Sequence, residues 1–138
     1  MKSFDVVTED DFTLSVHLFE PKYHDKKFLL INSATGVKQH LYFSLAHFFA
    51  EQGFTVITYD YRGIGLSKPE KMRGFQASMR IWGTTDYKAV TQYIKSNFPG
   101  YRKFCLGHSL GALILGMNED SMMFEQFIFV GTQNAFVG

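Results

Sequence analysis

The chain has 138 residues, of which 46% are hydrophobic, and this length and composition predict a single globular domain spanning residues 1–138. Fourteen basic and 13 acidic residues leave a formal net charge of +1, which excludes bulk electrostatic attraction to nucleic acid or an anionic membrane. No apolar stretch approaches the ~20 residues of a membrane span. Since acidic residues follow Met1 closely and no apolar signal core is present, we expect a cytoplasmic protein.

The first half of the chain predicts four strands and one helix. A short strand at Phe4 to Thr8 and an alternating one at Phe12 to Leu18 flank a polar turn, which indicates an antiparallel hairpin. The apolar runs Phe28 to Ile31 and Phe54 to Tyr59 are typical of strands covered on both faces. Between them a helix is predicted to end at Gly53, with its buried stripe formed by Leu41, Leu45, Phe48 and Phe49.

The second half alternates helices with strands. A helix is predicted from Thr85 to Asn97, with Tyr87, Val90 and Ile94 on its apolar stripe. Strands are predicted at Tyr101 to Leu106 and Phe127 to Val130, with a helix between them that ends near Asn118. The pattern predicts an α/β fold with a mostly parallel sheet, an initial antiparallel hairpin and helices on both faces. A ligand site in such a sheet lies beyond the carboxyl ends of the strands.

The pentapeptide Gly107-His108-Ser109-Leu110-Gly111 falls between a predicted strand and a predicted helix. G-x-S-x-G in that setting is typical of a nucleophile elbow, because the glycines tolerate the sharp turn that lifts the serine hydroxyl above the sheet. The elbow also points the Leu110 amide at the place where an oxyanion would develop.

Two further motifs follow earlier strands in register with the pentapeptide. Asn32-Ser33-Ala34-Thr35-Gly36 follows the third strand, and the segment from Asp60 to Ser67 has the form D-x-R-G-x-G-x-S. Together the three motifs resemble the N-terminal portion of an α/β-hydrolase, within the bacterial group allied to serine aminopeptidases and monoglyceride lipases. The resemblance implies that Ser109 is the nucleophile and that the Leu110 and Ala34 amides bind the oxyanion. Asn32 and Ser33 stand where many relatives have His-Gly.

Other conspicuous residues are interpreted as structural. Asp60 and Arg62 are expected to hold their loop by hydrogen bonds and charge pairing, and Lys68 replaces the third glycine that a dinucleotide-binding loop needs. Trp82 and Asp86 resemble the W-x-x-x-D of the same hydrolase group, so we expect Trp82 to be an aromatic anchor and Asp86 either to cap the helix or to complement its dipole.

The histidines and the cysteine supply no base, metal site or cofactor site. His108 adjoins Ser109, but consecutive residues at a sharp turn point in different directions. The remaining histidines precede the nucleophile without metal-ligand spacing: His17, His24, His40 and His47. Of these, His40 begins the helix after the candidate oxyanion loop and could approach the site, but we expect it to be solvated or to cap the helix. Cys105, in a predicted buried strand, is interpreted as core packing.

The order serine, acid, histidine is typical of this superfamily, yet no histidine follows Ser109. The acids after it are Glu119, Asp120 and Glu125, and all precede or lie in the last predicted strand. We therefore expect the triad to be incomplete in this chain, with about two strands missing and an open apolar sheet edge.

Three functions remain open from the sequence. The first is a serine hydrolase that cleaves an ester, thioester or amide of a small acyl substrate through an acyl-enzyme, with its acid and histidine outside this sequence. The second is a truncated, inactive relative stabilised as a homo-oligomer or by a partner that covers the sheet. The third is a non-catalytic module that binds a small molecule.

Overall fold

The computed structural model describes residues 1–34, 37–67, 79–108 and 114–130, and these contain a six-stranded mixed sheet. The strands are β1 (Lys2–Val7), β2 (Thr13–Phe19), β3 (Lys27–Asn32), β4 (Phe54–Tyr59), β5 (Arg102–His108) and β6 (Gln126–Val130). Their spatial order is β1-β2-β4-β3-β5-β6. The pairs β1–β2 and β2–β4 are antiparallel and the other three are parallel, which confirms the predicted hairpin and mostly parallel sheet.

In the described parts of the chain, two α-helices connect parallel strands. Helix α1 (Phe43–Glu51) follows a 3-10 turn at Gln39–Tyr42. Helix α2 (Tyr87–Asn97) follows a helical turn at Met79–Ile81 and a π-helical turn at Trp82–Asp86, so helical backbone begins before the predicted start at Thr85. The predicted end of α2 at Asn97 is confirmed.

The region after β5 differs from the predicted helix in its described part. Ile114–Met117 and Glu119–Met123 form 3-10 turns, separated by Asn118 in an extended conformation. The Asn118 side chain accepts a hydrogen bond from the Asp120 amide at 2.9 Å and so caps the second turn. The beginning of the predicted helix, residues 109–113, lies outside the described residues.

The sheet has a hydrophobic core on each face, because successive side chains of a strand point to opposite sides. Leu29 and Ile31 of β3 face α1, whereas Phe28 and Leu30 face α2. The predicted stripe of α2 is confirmed, since its residues are fully buried in the second core: Tyr87, Val90 and Ile94. The predicted placement of helices on both faces is therefore confirmed.

The predicted stripe of α1 is only partly right. Leu45 and Phe49 pack against the core, but Leu41 is 66% exposed and Phe48 is 54% exposed. The fully buried positions of this helix are instead the small Ala46 and Ala50. Apolar residues surround α1 on most sides, so periodicity did not identify the face whose small side chains let the helix approach the sheet closely.

Strand β6 forms an open edge of the sheet. All five of its residues are exposed, including four large apolar side chains: Phe127, Ile128, Phe129 and Val130. One side of β6 pairs with β5, and no strand of the described ranges pairs with the other. The predicted open apolar edge is confirmed for these residues. Neither α1 nor α2, nor any other helix in the described ranges, is long and apolar enough to cross a bilayer.

Candidate active site

The candidate site lies where the parallel strands β3 and β5 end. Asn32, the last residue of β3, pairs with Gly107 of β5, and both strands run in the same direction. Because the ladder continues to His108, the strand extends two residues past its predicted end, into the first two residues of the G-x-S-x-G motif. The predicted nucleophile Ser109 and the predicted oxyanion donor Leu110 lie outside the described residues and remain predictions.

The carboxyl end of β3 buries two polar side chains, Asn32 and Ser33. Asn32 accepts a hydrogen bond from the Tyr59 hydroxyl at 2.7 Å and donates to Cys105 Sγ at 3.5 Å. Ser33 is 1% exposed, and its hydroxyl has no hydrogen-bond partner among the described residues. Asn32 and Ser33, which stand in place of His-Gly, are thus both buried at the end of β3.

Ala34, the second predicted oxyanion donor, is buried, and its amide is already hydrogen-bonded. The amide donates to the hydroxyl of Tyr42 at 3.0 Å. Tyr42 ends the 3-10 turn before α1 and is 9% exposed. The same hydroxyl lies 2.7 Å from Nδ1 of His108. Sequence reasoning missed Tyr42, because its role depends on contacts with residues 8 and 66 positions away.

The second motif segment is held by Asp60. Its carboxylate accepts hydrogen bonds from the Gln39 amide at 2.7 Å, the Gln39 side chain at 3.0 Å and the Leu66 amide at 3.1 Å. Gly65 has φ +53, and a Cβ there would lie 2.6 Å from Asp60 Oδ2. The predicted structural role of Asp60 is confirmed. Because the Asp60 carboxylate comes this close to residue 65, the motif needs a glycine five positions after the aspartate.

Arg62 connects three parts of the chain through charge-assisted bonds. Its guanidinium lies 2.8 Å from Asp86 and 2.8 Å from Asp10, and its backbone amide donates to Asp86 at 2.8 Å. Trp82 donates its indole N–H to the Arg62 carbonyl at 3.1 Å and stacks on Tyr61. The predicted loop-holding and anchoring roles are confirmed. The predicted cap is wrong, because the Asp86 carboxylate binds Arg62 and makes no capping bond to α2.

Burial and charge pairing act in opposite directions on this cluster. Burial alone would lower the pKa of Arg62, but the bonds to Asp10 and Asp86 outweigh it and raise that pKa. Burial raises the pKa of Asp86, against the effect of Arg62. The half-exposed Asp10 has its pKa lowered to about 2 by its hydrogen bonds from Arg62.

The acids that follow Ser109 have other partners in the structure. Asp120 binds Lys95 at 3.3 Å, and Glu125 binds Arg102 at 3.1 Å beside the first residue of β5, at the opposite end of that strand from the motif. Glu119 is exposed. Neither ion pair lies at the carboxyl end of β5, where the nucleophile is expected.

The remaining histidines lie away from these ion pairs, and Cys105 accepts the hydrogen bond from Asn32. His17 is buried against Phe43, His47 lies edge-on to Phe19, and His24 and His40 are exposed. Burial raises the pKa of the Cys105 thiol, which keeps it protonated and confirms its place in the core. Among the described residues, no three histidine, cysteine or acidic side chains are grouped so that they could hold a metal ion.

A cavity of about 320 Å³ opens beside the carboxyl end of β4. It is lined by His17, Lys38, Gln39, His40, Phe43, Asp60, Gly65 and Leu66. A larger groove of about 670 Å³ lies around Asp25 and Gly53, next to the amino ends of β3 and β4. Only the smaller cavity adjoins the motif segments, so the larger one is not a candidate for the active site.

Comparison with known proteins identifies the family. The profile of the family described as serine aminopeptidase, S33, matches residues 23–130, well over half of the chain. The chain belongs to this family of α/β-hydrolases. It is 32% identical over 96 residues to a monoglyceride lipase homolog of Monkeypox virus. The aligned region covers 70% of the chain and 34% of the viral protein.

Solved structures of α/β-hydrolases share the fold at low identity. A thermostable carboxyl esterase from Bacillus coagulans superimposes with a TM-score of 0.79 at 17% identity, over 94% of this chain and 44% of the esterase. A serine hydrolase without a lid from Xanthomonas campestris gives a TM-score of 0.74 at 15% identity, over 93% of this chain and 59% of that protein. The hydrolase chain thus spans about a third to three fifths of the length of these relatives.

Proposed function

We propose that this α/β-hydrolase chain carries the nucleophile half of a serine hydrolase that cleaves a small acyl substrate through an acyl-enzyme on Ser109. The observation that carries the proposal is the parallel pairing of Asn32 with Gly107. Neighbouring residues of adjacent parallel strands leave the sheet at the same edge. The candidate oxyanion loop at Ala34 and the residue before Ser109 therefore start from adjacent positions, as acyl transfer requires.

The reaction would follow the usual course of acyl transfer. The Ser109 hydroxyl attacks the carbonyl carbon of an ester, thioester or amide, and the carbonyl π electrons move to oxygen. The Leu110 amide would donate to that oxyanion, and a base would take the serine proton and return it to the leaving group. Water then hydrolyses the acyl-enzyme. Esters are the favoured substrates, since the viral relative is named a monoglyceride lipase homolog and a fold neighbour is a carboxyl esterase.

The acid and the histidine would come from polypeptide outside these 138 residues. The sequence has no histidine after Ser109, and Asp120 and Glu125 are engaged by Lys95 and Arg102. The missing groups would belong either to sequence beyond residue 138 or to another chain. Translating the coding DNA past that codon tests the first source directly.

We expect another polypeptide segment to cover the open edge of strand β6 in the functional protein. An open edge with four exposed apolar side chains is typical of a surface that pairs with another strand. A second copy, a partner, or further strands of the same domain would each serve. Light scattering of the purified protein distinguishes an oligomer from a monomer.

A second candidate function is an inactive relative that binds a small molecule or partner. Its support is the Ala34 amide, the predicted oxyanion donor, which already donates its hydrogen to the Tyr42 hydroxyl at 3.0 Å. Loss of a triad member leaves only the contributions of the oxyanion site and substrate binding, so activity would be lower by several orders of magnitude.

A fluorophosphonate probe separates the two functions. The protein is purified as its natural gene product, treated with the probe, and digested so that mass spectrometry locates the adduct. Rapid labelling at Ser109, abolished in Ser109→Ala, supports the hydrolase. The absence of labelling in a sample that circular dichroism shows to be folded would reject the hydrolase and leave the binding module.

A further inference from the structure

The hydroxyl of Tyr42 joins the two segments that flank the candidate active site. It lies 3.0 Å from the Ala34 amide nitrogen, in the loop after β3, and 2.7 Å from Nδ1 of His108, the last residue of β5. The side chain is 9% exposed, and its ring packs edge-on against the His108 imidazole. A buried phenol is therefore fixed directly beside the residue that precedes Ser109.

The Ala34 amide cannot serve an oxyanion while this arrangement persists. An oxyanion that accepts from a backbone amide lies about 2.7–3.1 Å from its nitrogen. The phenol oxygen already accepts the hydrogen of this amide, at 3.0 Å from the nitrogen. At this position the candidate site is therefore faced by the hydroxyl of Tyr42, polarised by its bond to Ala34, and not by the Ala34 N–H.

A phenol has one proton to donate and two lone pairs that accept. The Ala34 amide uses one lone pair. When His108 Nδ1 carries a proton, that proton occupies the second lone pair and leaves the phenolic O–H free for a ligand. When Nδ1 is unprotonated, the phenol donates to it. The tautomer or charge of His108 thus decides whether the phenolic proton is available.

We propose that Tyr42 is a catalytic residue whose phenol donates a hydrogen bond to the oxyanion, while Ala34 and His108 orient it. The inference rests on the proposed function. As Ser109 Oγ bonds to the carbonyl carbon, the π electrons move to the carbonyl oxygen, and the phenolic O–H of Tyr42 bonds to that oxygen without transferring its proton. Leu110 would supply the second donor.

The surroundings of Tyr42 suit a donor that keeps its proton. Burial raises the pKa of the Tyr42 phenol, so the hydroxyl is protonated at neutral pH. The hydrogen bond from Ala34 opposes this effect, because it withdraws electron density from the phenol oxygen and makes the O–H a better donor. Both conditions favour a hydrogen bond to a developing negative charge.

Tyr42→Phe removes the hydroxyl and keeps the ring. Tyr87→Phe is the matched control, since Tyr87 is fully buried and, within the described residues, its hydroxyl bonds to Ser121 at 2.7 Å. Both variants are prepared in the natural gene product and assayed with a p-nitrophenyl ester and with a trifluoromethyl ketone that forms a tetrahedral adduct. The thermal midpoint of each variant is measured in parallel.

Loss of an oxyanion donor lowers kcat by about 10²–10³-fold and leaves KM unchanged. We expect that loss for Tyr42→Phe, with a matching decrease in ketone affinity, and a near-wild-type kcat for Tyr87→Phe. Incorporation of 3,5-difluorotyrosine at position 42, which lowers the phenol pKa, is expected to add a loss of kcat at high pH. This variant retains the ring and the hydroxyl, so it tests the donor even where the phenylalanine variant folds poorly.

The outcomes separate this inference from the proposed function. An unchanged kcat and ketone affinity in Tyr42→Phe, with Ser109→Ala inactive, overturns the role of Tyr42 and leaves the hydrolase intact. A rise in KM with unchanged kcat also overturns it, because the hydroxyl would then act only in substrate binding. A wild-type protein no more active than Ser109→Ala rejects the hydrolase, and the donor role of Tyr42 with it.

Discussion

Replacing the buried Asp86 by asparagine is expected to lower the free energy of unfolding by about 3 kcal/mol. Asp86 is fully buried and accepts hydrogen bonds from the Arg62 amide and guanidinium, each at 2.8 Å. The amide of asparagine keeps the shape but replaces one acceptor by an NH₂ group that faces N–H donors. Within the described ranges, the Arg62 guanidinium, 7% exposed, then keeps Asp10 as its charged partner.

The size of this destabilisation depends on which bonds the Arg62 guanidinium keeps. Removing one partner of a buried ion pair costs about 3–5 kcal/mol, because the other charge is left uncompensated. Asp10 keeps its two bonds to the guanidinium, at 2.8 and 2.9 Å. The expected loss of unfolding free energy is therefore at the lower end of this range. Burial also raises the pKa of Asp86, so the carboxylate is itself costly to bury and the penalty arises mainly from Arg62.

Urea unfolding followed by circular dichroism measures this change, with Glu125→Gln as the control. Glu125 pairs with Arg102 at 3.1 Å, but both side chains are well exposed. The free energy of unfolding of Glu125→Gln is therefore expected to equal that of the wild-type protein. If Asp86→Asn destabilised the protein no more than Glu125→Gln, the Arg62 cluster would not hold the loop, and the reasoning would be refuted.

Three further outcomes are expected from urea unfolding. Gly65→Ala should cost about 2–4 kcal/mol, from its left-handed backbone and a steric clash, whereas Gly100→Ala, with φ +81 and open space around it, should cost only about 1–2 kcal/mol. Ala46→Leu should destabilise by about 1–3 kcal/mol through overpacking against the sheet, while Phe48→Ala should change stability by less than about 0.5 kcal/mol; equal effects would contradict the assigned face of α1. Asp10 has a folded pKa of about 2, below its ordinary 3.8, so its contribution is present above pH 3.8 and is lost as the pH falls towards 2. Solvent screens this half-exposed carboxylate, so its contribution to the free energy of unfolding is about 1 kcal/mol. The difference in unfolding free energy between the wild-type protein and Asp10→Asn should therefore disappear as the pH falls from 3.8 towards 2.

The sheet was largely predictable because its signals are local. Phe54–Tyr59 is a continuous apolar run, and the structure gives the same bounds for β4. The stripe of Tyr87, Val90 and Ile94 was clear because the opposite face of α2 carries polar residues such as Lys88, Gln92 and Lys95. On α1 and the 3-10 turn before it, Phe48 and Leu41 are as apolar as the residues that pack, so the sequence offers no contrast from which to choose the buried face.

The candidate site was predictable in its motifs and less so in its contacts. Asp60 and Arg62 were identified as structural from their place in a motif, but the partner of Arg62, Asp86, was assigned to a helix cap. Tyr42 lies outside all three motifs of the sequence. Its hydroxyl meets His108 only once β3 and β5 pair and α1 is docked, so the signal is tertiary.

The strand order β1-β2-β4-β3-β5-β6 bears on how the chain folds during synthesis. Every pairing among β1 to β5 is available once His108 has left the ribosome. The core beside α1 draws its buried residues from positions up to Leu106, whereas the core beside α2 also includes Ile114, Leu115 and Phe124. The nascent chain can therefore complete the core on one face of the sheet before it completes the core on the other.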